Sequence, residues 1–186
     1  MTPIRWPHAV AGGVVVVAVA AAVAAVVVSN DDDGTSPAAD AVDVACSHGG
    51  RATTDLRRGR DLVLGPLVLV GGGQWAQARP DAFGGHGFKV PATLPNGVVA
   101  TLSVPPSMRG RVGLVFSQAT QDHVTTAGVR GADTSVRFTA CPAGARAGRS
   151  GWPGGLVVDR PRCATLVVTE AGGTSVRRRV PLGRRC

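Results

Sequence analysis

The sequence predicts a mainly β fold, an antiparallel β-sandwich of Ig-like general architecture, carried behind one N-terminal transmembrane helix. Three observations predict it. Residues 9–28 hold no charged or hydrogen-bonding side chain. From residue 46 onward, short apolar runs with period-two alternation are cut by Gly and Pro. Four cysteines, Cys46, Cys141, Cys163 and Cys186, all lie beyond the apolar run.

The apolar run reads AVAGGVVVVAVAAAVAAVVV. As a helix its 20 residues span about 30 Å, the thickness of a bilayer's hydrocarbon core. No surface helix of a soluble protein is apolar all round. Lipid also leaves a Val-rich backbone no option but to bond to itself. Arg5 and His8 precede the run and Asp31, Asp32 and Asp33 follow it. Residues 1–8 are therefore expected in the cytoplasm and the C-terminal part outside the cell membrane. A cleaved signal peptide is the rival reading. Its apolar region would be shorter, about 7–15 residues, and would end at a small-residue site; Val28-Ser29-Asn30-Asp31 is a poor one.

Residues 29–45 are small, polar and acidic, then fade into Ala and Val, which reads as a flexible linker. Residues 46–186 form the expected domain. Candidate strands are 61–70, 97–104, 111–117, 135–140, 155–159, 163–169 and 174–180, with a short one at 87–90. Val98, Ala100, Leu102 and Val104 share one parity, as do Val136, Phe138 and Ala140, so each run offers one face to a core. Residues 71–88 and 142–154 read as long Gly-rich loops.

An even cysteine count in an exported domain implies disulfides. Strand parity favours Cys141 with Cys163 and Cys46 with Cys186. No C-x-x-C spacing points to a metal, and no cofactor is expected.

The runs VRFTACPAG, WPGGLVVDRPRCATLVV and VPLGRRC resemble small exported or membrane-anchored actinobacterial proteins. These share an aromatic-x-A-C-P element, a W-x-G-G element leading into a cysteine-bearing strand, and a Cys near the C-terminus. Cys163-Ala164 departs mildly from that pattern. The resemblance implies an exported, disulfide-bonded β-domain and carries no activity.

Catalytic patterns are thin. His48, His86 and His123 accompany no Gly-x-Ser-x-Gly element, and Glu170 is the one Glu of the domain. Gln121-Asp122-His123, read on a strand, would turn its acid and base to opposite sides. The expectation is a non-catalytic domain; its rival is an envelope hydrolase with a dispersed site. Trp152 reads as a core residue, while Trp75, in a Gly-rich loop, reads as an exposed contact.

Charge is the distinctive feature. Residues 46–186 carry 19 basic against seven acidic residues, a net +12. Arg177, Arg179, Arg184 and Arg185 form the expected polyanion-binding cluster, aided by Arg57, Arg58 and Arg60 if these lie close. The expected partners are the cell membrane, through the apolar helix, and an anionic envelope polymer or acidic protein, not nucleic acid. The bland reading of the arginines is an edge strand guarded by charge.

Mass spectrometry of the membrane-extracted chain should find residues 1–30 intact. A mature N-terminus between residues 29 and 46 would overturn the uncleaved anchor.

Overall fold

The computed structural model describes residues 40–48, 50–52, 56–57, 59–145 and 148–186. The tail 1–8, the apolar run 9–28, the linker as far as residue 39, and Arg58 lie outside the described residues. Among the described residues no helix is long and apolar enough to cross a membrane.

The domain is mainly β. In chain order the strands are β1 (Val42–Val44), β2 (Gly50–Ala52), β3 (Leu62–Leu64), β4 (Leu67–Leu69), β5 (Gly87–Lys89), β6 (Ala92–Pro95) and β7 (Val99–Ser103). Then come β8 (Val112–Val115), the helix α1 (Gln118–Ala127), β9 (Ser135–Thr139), β10 (Arg149–Trp152), β11 (Gly155–Val158), β12 (Arg162–Glu170) and β13 (Ser175–Leu182). They form three sheets, ordered β1-β9-β7-β12-β13, β2-β10-β6-β4-β3 and β5-β11-β8. All pairings are antiparallel except β1 with β9.

One core serves all three sheets. Leu102, Phe138 and Leu166 come from the first, Leu69, Leu94 and Trp152 from the second, and Phe88, Leu114 and Leu156 from the third. Phe138 packs edge-on against Phe116 at 5.0 Å and tilted against Trp152 at 5.1 Å. Trp152, expected in the core, is buried there, and its indole N–H donates to the Ala45 carbonyl at 3.0 Å. That bond satisfies the ring's one polar atom, which burial would otherwise leave unmade.

Several expectations are corrected. The run 61–70 is a hairpin, not one strand: Gly65 takes φ +60 and with Pro66 turns the chain between β3 and β4. The folded part includes β1, before residue 46, because Val44 is buried and β1 is in register with β9 through Val44 and Phe138. The stretch 142–154 contains β10. Residues 121–123 lie on α1, capped by Ser117, whose Oγ accepts from the Thr120 N–H.

The cysteine pairing is also corrected: the bridges are Cys46–Cys141 and Cys163–Cys186, and no described cysteine is free. β7 lies between β9 and β12. Two strand spacings, about 10 Å, separate Cys141's strand from that of Cys163, beyond the reach of about 7 Å that a bridge allows. The parallel strand β1 instead delivers Cys46 beside Cys141, with Cα atoms 4.8 Å apart.

Peptide mapping without reduction should find these two links. In the chain-entropy picture, bridges spanning 95 and 23 residues contribute at most about 5 and 3 kcal/mol. Replacing Cys46 and Cys141 with Ser should therefore lower the unfolding temperature more than replacing Cys163 and Cys186. The reverse order would contradict this account.

Candidate functional site

A strongly basic depression lies at the open end of the β12–β13 hairpin. It is a depression of about 560 Å³ walled by Arg160, Arg162, Arg179, Arg184, Arg185 and the Cys163–Cys186 bridge. The hairpin aligns Arg162 with Leu182 and Cys163 with Pro181. After Leu182 the chain must fold back for Cys186 to reach Cys163. Gly183 makes that turn at φ +68, a conformation that other residues rarely adopt. Its N–H donates to the Trp75 carbonyl at 2.8 Å.

Trp75 is thus not an exposed contact. Only 5% of it is accessible, and its ring lies 6.2 Å from that of Phe88. Gly72 makes room for it: a Cβ there would stand 3.1 Å from the indole edge. The Gly-rich surroundings read as an open loop, whereas they allow close packing over a buried Trp, whose carbonyl anchors the Arg-bearing tail.

Of the expected cluster, the structure brings Arg179, Arg184 and Arg185 to the depression, and all three are exposed. Arg177, also exposed, stands earlier on β13 and does not line it. Arg160 and Arg162 were missing from the expectation. The signal was present in Arg160-Pro161-Arg162 beside Cys163, but it is the β12–β13 register and the Cys163–Cys186 pairing that join it to the tail. Arg162 is bonded to Asp159, while its buried Nε–H has no hydrogen-bond partner among the described residues.

A second depression, of about 620 Å³, is walled by Phe83, Lys89, Phe116, Ser117, Gln121 and Asp43, among others. It holds no histidine. Phe83 is a non-glycine residue at φ 52, a strained position for a bulky side chain. Ser117 Oγ lies 2.7 Å from Thr120 Oγ1, which donates to Asp133 Oδ2 at 2.6 Å. This chain of hydroxyls caps α1 and ties it to β8, since Asp133 and Leu114 also exchange backbone bonds. Asp122, on α1, accepts from the Gln118 side chain at 2.9 Å.

Elsewhere, Arg149 is half-buried and donates to Thr93 Oγ1 and to the Thr93 and Pro66 carbonyls. Burial lowers its pKa. Among the described residues no three His, Cys, Asp or Glu side chains are grouped to hold a metal.

No family model, curated protein or solved structure matches the chain. The functional reading therefore rests on the geometry of this domain.

Burial raises the Asp133 pKa above its ordinary 3.8, opposed by the Thr120 hydrogen bond and by nearby His123. The folded state then holds this proton more tightly than the unfolded chain. The stabilisation is present in full below the ordinary value and is lost as pH rises through the raised one. Asp133→Asn keeps an acceptor for Thr120 and removes the titration. Denaturant unfolding should show the parent losing stability relative to Asp133→Asn from acid to neutral pH. A constant difference across that range would contradict the shift.

Proposed function

We propose that the chain is a membrane-tethered, non-catalytic extracytoplasmic domain that binds an anionic component of the cell envelope. The observation that carries the reading is the convergence of Arg160, Arg162, Arg179, Arg184 and Arg185 on one depression. Of the described carboxylate side chains, Asp159 is the one bonded to an arginine of this group. Guanidinium forks in that density suit phosphate or carboxylate oxygens.

Two further observations support the address. Both bridges are of a kind that persists in oxidising compartments. The apolar run 9–28, with Arg5 before it and three Asp after it, suits an anchor with the domain outside. The resemblance to small exported actinobacterial proteins agrees with this placement. We further infer a sandwich, Ig-like in general architecture, for the two five-stranded sheets. Its support is the core they share around Phe138 and Trp152.

The test uses the full chain in a zwitterionic detergent and immobilised long-chain polyphosphate as the probe. Binding should weaken steeply as salt rises, because the field of an exposed charge excess reaches only about 8 Å at physiological ionic strength. Replacing Arg160, Arg179, Arg184 and Arg185 with Gln should remove most of it and leave the circular dichroism unchanged. The same change at the exposed Arg111 and Arg130 should have little effect. Equal binding by parent and fourfold variant at low salt would reduce the cluster to a charged strand edge.

A further inference from the structure

The basic depression is assembled from three separate stretches of chain. Arg160 and Arg162 flank Pro161 at the entry to β12, Arg179 stands on β13, and Arg184 and Arg185 sit on the tail. The tail is fixed by Cys163–Cys186 and by the Gly183 N–H bond to Trp75. Against five guanidinium groups stands the one Asp159 carboxylate, which leaves the depression strongly positive.

Arg162 differs from the other four. Only 12% of its side chain is accessible, one arm is committed to Asp159, and its Nε–H is buried without a partner among the described residues. A buried donor is costly to leave unmade, and the residue that carries this one walls the depression. Deepening the reading above, and resting on it, we propose that the depression is a discrete phosphate site. Its ligand is a phosphate group carrying more than one negative charge, a pyrophosphate or a terminal phosphomonoester, with the Arg162 Nε–H as the buried donor.

The chemistry of the walls selects that class. A carboxylate offers one charge and two oxygens in one plane. A terminal phosphate offers up to two charges and three oxygens in tetrahedral directions, which suits guanidinium groups arriving from three stretches of chain. No aromatic ring lines the depression, so neither a base nor a sugar face finds a stacking partner. The size is that of a small-molecule site, not of an open plain.

The test is a titration of the full chain in zwitterionic detergent, read on the arginine Nε–H resonances by ¹H–¹⁵N NMR. Inorganic pyrophosphate is the free-phosphate probe, phosphatidic acid in the micelle is the lipid probe, and citrate is the control of similar charge. Pyrophosphate or phosphatidic acid should shift the Arg162 Nε–H resonance and bind at least tenfold more tightly than citrate at equal salt; the tighter of the two names the source. Arg184→Gln with Arg185→Gln, both exposed positions, should weaken that binding at least tenfold. Arg162→Lys keeps the charge and removes the Nε–H. It should abolish the preference for phosphate over citrate while leaving salt-dependent polyphosphate binding in place. Equal affinity for citrate and both phosphates, or an unmoved Arg162 resonance at saturation, would overturn the site. If polyphosphate still binds in that case, the general polyanion reading survives; if it does not, both fall.

Discussion

The contact between Phe138 and Trp152 is the constraint on which the rest of the domain depends. Phe138 belongs to β9 in the first five-stranded sheet and Trp152 to β10 in the second, and their rings meet at 5.1 Å. Phe116, just after β8 of the third sheet, closes on Phe138 from another side. Truncating such a residue to Ala typically costs about 3–5 kcal/mol, a large share of a small domain's net stability. The same cluster fixes the start of the domain. Trp152 bonds the Ala45 carbonyl, β1 lies beside β9, and Cys46 is bridged to Cys141 just beyond it. Apolar burial, one hydrogen bond and one covalent link thus fasten the same few residues.

Much of the β architecture was legible in the sequence because alternation reports directly on which face is buried. Val136 and Phe138 are buried while Arg137 and Thr139 are exposed, and β9 forms there. The same holds for β7, where Ala100 and Leu102 are buried between half-buried neighbours. Alternation does not report on pairing order. Parity showed that Cys141 and Cys163 could leave the core free, but not that β7 separates their strands. The helix α1 was missed because only Thr120 and Val124 of its residues are buried, too few for a helical stripe. Its end signals were present, in Ser117 as N-cap and Gly128 just past the last turn. Pro66 after Gly65 was likewise a turn signal inside an apolar run.

Trp75 illustrates a different limit. Glycines in sequence mark both open loops and places where backbone must approach a large ring, and composition does not separate the two. Here Gly72 allows the second case. The consequence reaches the basic depression. A buried ring holds its own backbone still, and the Trp75 carbonyl transmits that rigidity to Gly183 and so to the arginines that follow. The walls of the depression are thus tied to a residue that does not line it.

Edge protection and anion binding make different demands on the same arginines, and their placement distinguishes the two. Among the described residues β13 pairs with β12 alone and is the last strand of its sheet. Charge along such an edge discourages pairing with another chain, and Arg177, Arg178 and Arg179 on the strand meet that need. Edge protection asks nothing of Arg184 and Arg185, which follow the strand, or of Arg160, which precedes the hairpin. Yet these residues are held with Arg162 and Arg179 around one bridge, despite the repulsion that like charges incur at short range. Stability alone would disperse them. Their confinement by a disulfide, a left-handed glycine and a bond to a buried tryptophan's backbone has a physical use when an anion occupies the space between them.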